Sequence, residues 1–238
     1  LVQLREQIEK AEFDADLRQK VLQKVTQEYA GKGLFVRSSS NSEDLPNFSG
    51  AGLYTTVPNV RGDQQRIHAI RKVWASLWNF EAYEARERAG VDHSKIFMAV
   101  LLQEGINSES SGVMISTDPF DPENRAAIYI SAKRGLGIKV VEGQRIAEQI
   151  IFRPRTNAIR VLTRSAEDNL LTFDEKGGVK EVPITGDREV LTDDVIRRLV
   201  RAALEIKRVF ANREQDIEWA YMKGQIYIVQ ARPFVPGS

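Results

Sequence analysis

Cysteine is absent from the 238-residue sequence, which excludes disulfide bonds, thiol catalysis and cysteine-ligated metal. A chain without cysteine suits a reducing cytoplasm, which is the location we expect, although it fits other compartments as well. Long apolar runs are also missing, since none approaches the ~20 residues that a membrane-spanning helix requires. The formal net charge is only +1, so overall charge gives no reason to expect nucleic acid or an anionic membrane as a partner.

The rest of the composition is that of an ordinary globular protein, with 42% hydrophobic and 28% charged residues. A chain of this length can form one large domain, or two smaller lobes that each bury a core. The sequence opens on Leu1 and Val2, with neither an initiator methionine nor a basic segment followed by an apolar one. We therefore expect a piece of a longer protein.

Hydrophobic periodicity predicts a mixture of helices and strands. Apolar residues recur at helical spacing over residues 3–30 and 62–89, with Asp14 as an N-cap within the first stretch. Thr192 caps a later helix that extends to about Asn212. Its inward residues are predicted to be Ile196, Leu199, Val200, Ala203 and Phe210. Apolar runs predict strands at residues 34–36, 96–103, 112–117, 127–131, 149–152 and 158–163, and on both sides of 222–225.

Polar, turn-rich segments separate these elements. Residues 37–59 are predicted to form a loop punctuated by glycines, and residues 164–188 an excursion that carries little core. Helices that flank a mostly antiparallel sheet define the α+β class. We expect two lobes, the first over about residues 1–100 and the second over about residues 101–238.

The segment after the first predicted strand combines an arginine with small polar residues. Arg37 leaves the strand and meets a run of serines, and two glycines follow within residues 49–52. A guanidinium presents a planar set of donors that matches phosphate oxygens, and small residues let backbone N–H groups approach an anion. The alternative is a polar surface loop in which Arg37 pairs with Glu43 or Asp44. Composition alone favours that alternative.

The last two predicted strands carry polar residues at alternate positions. Alternation places Asp216 and Glu218 on one face of the first strand, and Gln230 and Arg232 on one face of the second. Two carboxylates on one face repel each other unless a cation such as Mg²⁺, which takes oxygen ligands, lies beside them. The alternatives are a solvent-facing acidic stripe and a simple cross-strand salt bridge.

The length of the turn around Gly224 decides whether these polar residues meet. An odd number of loop residues sets Glu218 opposite Gln230 and Asp216 opposite Arg232, whereas a two-residue turn puts them on opposite faces. We predict the odd loop. The carboxylates, the amide and the guanidinium then form one cluster that suits a metal ion and a phosphate held together.

Taken in order, these segments resemble the nucleotide-binding domain shared by several dikinases. That group includes phosphoenolpyruvate synthase, pyruvate phosphate dikinase, the glucan water dikinases and the rifampin phosphotransferases. The resemblance spans nearly the whole chain, and the ordered set of motifs is specific although no single motif is decisive. The motifs are Val36-Arg37-Ser38-Ser39, Glu43-Asp44-Leu45-Pro46, Ala51-Gly52, Trp74-Ala75-Ser76-Leu77, Ser111-Gly112-Val113-Met114, Thr117-Asp118-Pro119, Gly135-Leu136-Gly137, Val140-Val141-Glu142-Gly143, Asp216-Ile217-Glu218-Trp219 and Gln230-Ala231-Arg232-Pro233.

The resemblance implies an ATP-grasp fold, in which two lobes close on ATP and Mg²⁺. It assigns Arg37 and Arg232 to the phosphates and to catalysis, and Glu218 and Gln230 to the metal ion, with Asp216 beside them. The further nucleotide contacts that it implies are Gly52, Leu53, Tyr54 and Thr56 in a loop over the phosphates, and Gln103, Glu104 and Ile106 in a hinge beside adenine.

The family reaction splits ATP into AMP and two phosphates, and the β-phosphoryl group passes first to a histidine on a swivelling domain. That phosphohistidine domain is the expected protein partner, and the role of the ATP-binding domain is mostly positioning and charge neutralisation. His68 and His93 lack the glycine-rich setting of the family's phosphohistidine, so we interpret both as structural.

Three features depart from the family pattern. The phosphate-contacting lysine of its N-terminal glycine-rich motif has no counterpart, because the sequence begins downstream of that motif. The histidine domain is also missing. Ile138 stands where the family often has a glutamate, which predicts weaker or altered catalysis if that glutamate contributes.

The leading hypothesis is the ATP- and Mg²⁺-binding domain of a phosphoenolpyruvate synthase-like phosphotransferase, unable to complete a phosphoryl cycle alone. Pyruvate is the first acceptor to consider, although residues 47–54 are closer to the glucan dikinases and an antibiotic acceptor also stays open. A second hypothesis is a regulatory nucleotide-binding module without chemistry, which Ile138 favours and Glu218, Gln230 and Arg232 oppose. A third, a purely structural domain, makes that polar cluster a coincidence.

Overall fold

The computed structural model describes residues 1–45, 48–50, 52–138, 147–186 and 189–235. The chain divides into two compact units, Leu1–Gly105 with Phe173–Val179, and Ile106–Thr172 with Lys180–Ser238. Helices and antiparallel strands make up both units, so the predicted α+β class is confirmed.

The elements of the first unit in chain order are α1 (Val2–Lys10), α2 (Ala15–Tyr29), β1 (Leu34–Ser40), β2 (Asp44–Leu45), β3 (Phe48–Ser49), β4 (Val57–Val60), α3 (Asp63–Ala75), α4 (Phe80–Arg88) and β5 (Met98–Glu104). Three of these strands form an antiparallel sheet in the order β4-β1-β5. The helix α3 packs on one face of this sheet.

The core of the first unit lies between α3 and the sheet. Val36 of β1 contacts this core together with Ile67, Ile70 and Val73 of α3, and all four side chains are 5% exposed or less. Each such burial contributes about 1.5–3 kcal/mol of transfer free energy. Because side chains alternate along a strand, Phe35 and the residues at even spacing from it face away from α3.

The helix predicted over residues 62–89 is interrupted. The helix α3 ends at Ala75, a 3₁₀ turn covers Ser76–Trp78, and α4 begins at Phe80. The break lies at Asn79, whose backbone is extended with φ −59° and ψ 144°. Its side-chain amide donates a hydrogen bond to the carbonyl of Leu53 at 3.2 Å, so the interruption brings a donor to the loop before β4.

Two predicted loops contain strands. The loop prediction for residues 37–59 is wrong in part, because β1 continues to Ser40 with β5 paired along its whole length, and β2, β3 and the start of β4 follow within the segment. The prediction for residues 164–188 is wrong as well, since β10 (Asn169–Phe173) and β11 (Val179–Pro183) pair as a two-stranded sheet. The sequence did not indicate the strands in these two segments, because neither segment alternates between apolar and polar residues in the usual way.

The second unit contains a six-stranded antiparallel sheet in the order β13-β12-β6-β7-β8-β9. Besides β10 and β11, its elements in chain order are β6 (Ser110–Ile115), β7 (Ile128–Arg134), β8 (Glu148–Arg153), β9 (Ala158–Thr163), α5 (Asp193–Val209), β12 (Gln215–Met222) and β13 (Gln225–Pro233). The strand predictions for this region are confirmed to within a few residues.

The helix α5 covers one face of this sheet. Thr192 caps it by accepting a hydrogen bond from the backbone N–H of Val195 at 3.5 Å, as predicted. The core against α5 includes eight residues that are each exposed by 4% or less: Ile196, Leu199, Val200, Ala203, Met114, Ile130, Ile217 and Trp219. The helix ends at Val209, so the predicted inward position of Phe210 is wrong, and its side chain is 44% exposed. Of the helices in the described residues, none is both long and apolar enough to cross a membrane.

Candidate functional site

The face of the six-stranded sheet turned away from α5 carries the polar residues of its last two strands. In β12, Ile217 and Trp219 are buried in the core at 0% and 1% exposure. Successive side chains of a strand point to opposite faces, so Asp216 and Glu218 project from the uncovered face. Both are half-buried. This face is therefore the side of the second unit on which a polar ligand would meet carboxylates.

The predicted cross-strand pairing is confirmed. Glu218 lies opposite Gln230, and Asp216 lies opposite Arg232. Side chains of directly opposed residues in an antiparallel pair have Cβ atoms about 4.5–5.5 Å apart, which is close enough to act on one ligand. The register therefore gathers a carboxylate, an amide and an ion pair on one face of two neighbouring strands.

The odd loop that was to produce this register is wrong. Met222 pairs with Gln225, so the turn contains only Lys223 and Gly224, whose φ angles are 49° and 76°. Two positive φ angles define the tight turn that matches the twist of antiparallel strands. The register changes further along, where Val229 is an extra residue in β13. This β-bulge re-aims the following side chains, as bulges commonly do near functional sites.

Asp216 and Arg232 form a salt bridge across the two strands. Both Nε and Nη2 of Arg232 donate to the same carboxylate oxygen, Oδ2, at 3.0 and 2.8 Å. The side chains are 30% and 20% exposed, for arginine and aspartate respectively. Two hydrogen bonds to one oxygen fix the plane of the guanidinium. The cross-strand salt bridge considered as an alternative is thus present. It also orients the guanidinium of Arg232, a group that suits phosphate binding.

Glu218 and Gln230 supply a carboxylate and an amide from adjacent strands. Across the described ranges, no three histidine, cysteine or acidic residues are grouped so as to hold a metal ion. Mg²⁺ does not require such a cage, because it keeps several waters and binds through one or two carboxylates plus substrate phosphates. The donor set therefore fits a Mg²⁺ ion that arrives with a phosphate ligand.

The same face becomes apolar towards β7 and β8. Ile115 stands opposite Asp216 on β6, and Tyr129 and Ile151 continue the row across the next two strands. Tyr129 is 7% exposed and packs edge-on against Phe120, with ring centroids 5.3 Å apart. Burial raises the pKa of Tyr129, because the phenolate is disfavoured away from water. The polar residues of β12 and β13 thus border a buried apolar cluster on the same face of the sheet.

In the first unit, Arg37 lies on the sheet face opposite α3. Its Nη1 donates to Oε1 of Gln103 on the neighbouring strand at 3.1 Å. Leu101 lies directly opposite Arg37 in the register and is 51% exposed. Sequence reasoning missed Leu101 because residues 98–102 of β5 are all apolar, so the sequence does not show which of them face away from the core. This face combines a guanidinium, an amide and an exposed apolar side chain.

The three predicted hinge residues occur where the first unit ends and the second begins along the chain. Gln103 is bonded to Arg37, and Glu104 accepts a hydrogen bond from Lys32 at 2.6 Å. Gly105 is the last residue of the first unit's main segment, and the half-buried Ile106 is the first residue of the second. These residues therefore connect the two units along the chain, and their contact with adenine stays a prediction.

The predicted phosphate loop has an exposed glycine and a buried aromatic anchor. Gly52 is exposed with φ 75°, a conformation that side-chain-bearing residues rarely adopt. Tyr54 is 8% exposed, whereas Leu53 and Thr56 are half-buried. The motif residues Pro46, Ala51 and 140–143 lie outside the described residues.

The glycine motif after β7 is held by serine hydroxyls. The carbonyl of Gly135 accepts hydrogen bonds from Oγ of Ser108 at 2.9 Å and Oγ of Ser111 at 2.6 Å. Ile138 directly follows the motif Gly135-Leu136-Gly137 and is half-buried. The backbone of this motif is therefore firmly placed, while Ile138 contributes no polar atom.

The two histidines lie in different surroundings. His68 is exposed on α3. His93 begins a 3₁₀ turn and stacks on Tyr83 with ring centroids 4.4 Å apart, while its Nε2 lies 2.8 Å from Oε1 of Glu87. The packing of His93 is that of a structural residue.

Sequence reasoning also missed a lysine on the uncovered face of the six-stranded sheet. Ile130 and Ala132 of β7 lie in the core, so Ser131 and Lys133 project from the other face, as Glu218 does. The ammonium of Lys133 is 3.3 Å from a carboxylate oxygen of Glu167. The alternation of β7 residues was a signal that could have found it.

The sequence matches the family model described as "Pyruvate phosphate dikinase, AMP/ATP-binding domain" over residues 2–236. The probable phosphoenolpyruvate synthase of Methanocaldococcus jannaschii is 34% identical over 238 residues, which cover 97% of this chain and 20% of the relative. The phosphoenolpyruvate synthase of Pyrococcus furiosus is 36% identical over 209 residues, which cover 83% of this chain and 25% of the relative.

A similar match extends to a second kind of enzyme. The rifampicin phosphotransferase of Bacillus subtilis is 32% identical over 234 residues, which cover 97% of this chain and 26% of the relative. The chain thus spans between 20% and 26% of the length of these three relatives. The match over nearly every residue shows that the chain belongs to the family of pyruvate phosphate dikinase AMP/ATP-binding domains.

Proposed function

We propose that the protein is the ATP- and Mg²⁺-binding domain of a phosphoenolpyruvate synthase-like dikinase. Family membership supports nucleotide binding. The observation that carries the finer proposal is the β12–β13 register, which places Glu218 opposite Gln230 and Asp216 opposite Arg232 on the sheet face turned away from α5. A domain without metal and phosphate to bind would gain little from grouping these polar residues on one face.

In this proposal, the two arginines bind the phosphates and act in catalysis. Arg232 is held in orientation by Asp216, and Arg37 by Gln103, so both guanidinium groups are placed before a ligand arrives. Preorganised donors lower the ordering cost of binding and act on the charge that develops during transfer.

Glu218 and Gln230 would hold the metal ion. A bound Mg²⁺ would supply positive charge that offsets the charge of the phosphates during phosphoryl transfer. The protein contributes a carboxylate whose neighbour on β13 is a neutral amide, so the two side chains do not repel each other. This pairing suits one divalent cation.

The nucleoside end is assigned by the family resemblance alone, which implies that Gln103, Glu104 and Ile106 contact adenine. Gly52, Leu53, Tyr54 and Thr56 form the loop over the phosphates. An ATP-grasp arrangement, with lobes at about residues 1–100 and 101–238, is the architecture that these roles require.

In the reaction we propose, ATP is cleaved to AMP, the γ-phosphoryl group passes to water and leaves as orthophosphate, and the β-phosphoryl group passes to a histidine on a separate domain and then to an acceptor. Pyruvate is the proposed acceptor, in line with the phosphoenolpyruvate synthase relatives. Neither His68 nor His93 is assigned as the phosphoryl carrier. The cytoplasm, which holds ATP, is the proposed location.

A different acceptor is the second candidate. The rifampicin phosphotransferase of Bacillus subtilis matches 97% of the chain, which supports an antibiotic acceptor as well. The half-buried Ile138 is the observation that favours a regulatory nucleotide-binding module instead. Incubating the intact protein with ATP and each acceptor, and following AMP and phosphate by ³¹P NMR, separates these outcomes. Formation of phosphoenolpyruvate would identify pyruvate as the acceptor, and a phosphorylated antibiotic would identify an antibiotic acceptor. No AMP at all would identify a regulatory module.

Calorimetric titration with ATP, with and without Mg²⁺, tests the core of the proposal. We expect Mg²⁺-dependent binding that weakens by about tenfold or more in Glu218→Ala, a loss of about 1.4 kcal/mol. Glu205→Ala is the matched control, because that glutamate is 71% exposed on α5 and lies away from the polar face. Equal affinities for the wild type and Glu218→Ala would contradict the metal assignment.

A further inference from the structure

A fully buried arginine lies in α4 of the first unit. Arg86 is 0% exposed, and its Nη2 donates to the carbonyl of Leu77 at 2.6 Å. Its Nη1 donates to the hydroxyl of Tyr54 at 3.3 Å, and its Nε to Nδ1 of His93 at 3.2 Å. The guanidinium also lies over the ring of Trp78, 5.9 Å from the centroid. Nε, Nη1 and Nη2 of Arg86 thus each donate a hydrogen bond.

The carboxylate nearest to this guanidinium along the hydrogen-bond network is that of Glu87, which is reached through His93. Arginine has only donors, so Nδ1 of His93 must accept, and the ring proton is on Nε2. That Nε2 lies 2.8 Å from Oε1 of Glu87, to which it donates. Among the described residues, no carboxylate contacts Arg86 directly. Burying a charge without a directly bonded counterion costs several kcal/mol, so Arg86 stabilises the core less than an apolar residue would.

The hydroxyl of Tyr54 continues the network towards β1. It accepts from Arg86 and lies 2.8 Å from Oγ of Ser42, which is 0% exposed. Oγ of Ser42 is in turn 2.9 Å from Oγ of Ser40, the last residue of β1. A continuous chain of polar contacts therefore joins α4 to the end of the strand that carries Arg37.

The backbone around Tyr54 is held as well as its hydroxyl. Gly50 packs so closely against the ring that a Cβ at this position would lie 3.0 Å from Cε2 of Tyr54. The carbonyl of Leu53 accepts from the amide of Asn79 at 3.2 Å, and Asn79 Oδ1 accepts from Arg5 at 3.2 Å. The exposed Gly52 thus precedes Leu53, whose backbone carbonyl is hydrogen-bonded, and Tyr54, whose side chain is anchored.

We propose that Arg86 and Tyr54 are positioning residues that fix the loop Gly52–Thr56. This inference rests on the proposed function, in which that loop covers the phosphates of ATP. The burial of Arg86, and of the hydroxyl of Tyr54 in the network, means that both act through the loop backbone rather than by touching the nucleotide. A loop that is ordered before binding loses less conformational entropy when a phosphate arrives.

The sharpest variant is Tyr54→Phe, which removes one hydroxyl and keeps the ring that packs on Gly50. We expect its affinity for Mg²⁺·ATP to fall about tenfold, while its affinity for adenosine, which has no phosphates, stays unchanged. Ser42→Ala breaks the next link and should weaken ATP binding in the same direction. Tyr83→Phe is the matched control, because that ring stacks on His93 in the same unit and its hydroxyl takes no part in this network.

Hydrogen exchange of the backbone amides over residues 52–56, measured without nucleotide, tests the positioning role independently. Exchange should be several-fold faster in Tyr54→Phe than in the wild type and in Tyr83→Phe, with circular dichroism showing that all three are folded. Unchanged exchange would overturn the proposal, and so would faster exchange with equal loss of ATP and adenosine affinity. A wild type that binds no ATP would refute the proposed function, and the exchange rates would still decide whether Tyr54 fixes the loop.

Discussion

Glu218 stands opposite Gln230 only because Val229 is an extra residue in β13. Regular pairing from the Lys223-Gly224 turn would set Glu218 opposite Val229 and turn Gln230 onto the face covered by α5. The bulge therefore decides on which side of the sheet the amide emerges.

Deleting residues on either side of Gln230 tests this register. Removing Val229 lets regular pairing from the turn bring Gln230 opposite Glu218 without a bulge, so Mg²⁺·ATP affinity should stay within about threefold. Removing Ala231 should instead turn Arg232 onto the buried face opposite Ile217. That variant should lose ATP binding and unfold at a lower temperature, because a guanidinium is forced into an apolar core. Equal losses in the two deletions, measured by calorimetry and thermal denaturation, would refute the register argument.

Asp216→Asn removes the carboxylate charge that holds Arg232. Removing a negative charge near the phosphates would by itself strengthen ATP binding, whereas freeing the guanidinium weakens it. We expect orientation to dominate, with affinity about threefold to tenfold lower and stability reduced by about 0.2–1 kcal/mol for this partly exposed pair. Calorimetry and urea denaturation measure the two effects. Tighter ATP binding in Asp216→Asn would show that repulsion matters more than orientation.

Arg37→Lys keeps the charge and removes the planar fork that bonds to Gln103. Affinity for ATP should fall about tenfold, and affinity for adenosine should not change, if Arg37 binds phosphate. Arg18→Lys on the exposed side of α2 is the control for the loss of a guanidinium as such. An affinity for ATP equal to that of the control would exclude a phosphate contact for Arg37.

Leu199→Ala tests the packing of α5 against one face of the six-stranded sheet. Leu199 is 0% exposed, so the substitution should lower the free energy of unfolding by about 2–5 kcal/mol through lost burial and a cavity. Leu204→Ala on the same helix, where the side chain is 43% exposed, should cost far less. Urea denaturation of both variants measures the difference, and equal costs would mean that α5 does not pack as described.

Tyr129 predicts a loss of stability at alkaline pH. Its folded-state pKa is raised above the ordinary 10.0 by burial, with a hydrogen bond from Ser131 acting in the opposite direction. A raised folded pKa contributes stability that is fully present below the unfolded value and is lost as pH rises through the folded value. Free energies of unfolding between about pH 9 and pH 11 should therefore fall less steeply in Tyr129→Phe than in the wild type or Tyr83→Phe. Identical slopes would contradict the buried position of the phenol.

Local sequence patterns determined the element types well where the signal was periodic. The cap at Thr192 and the 3.6-residue spacing of Ile196, Leu199 and Val200 indicated α5 and its buried side, and the structure confirms both. The break at Asn79 could not be predicted in the same way. Asn79 is a permissible helix residue, and its extended backbone is stabilised by a hydrogen bond to Leu53, which is distant in sequence.

For the polar residues of β12 and β13, too, the sequence predicted which residues share a face, whereas the tertiary structure decided how the strands pair. Strand alternation placed Asp216 with Glu218, and Gln230 with Arg232, and the sequence resemblance identified the family. The route to their pairing was wrong, because a turn of two residues and a bulge at Val229 produce the same register as an odd loop.

The sequence by itself determined the family, the fold class and which residue types could serve metal and phosphate, because composition, periodicity and motif order are properties of the chain alone. Only the tertiary structure decided that Val229 is bulged, that Asp216 orients Arg232, and that Arg86 is buried against Tyr54. Each of these depends on contacts between residues distant in sequence or on strand register. Their free energies come from burial and hydrogen-bond geometry, which no local pattern encodes.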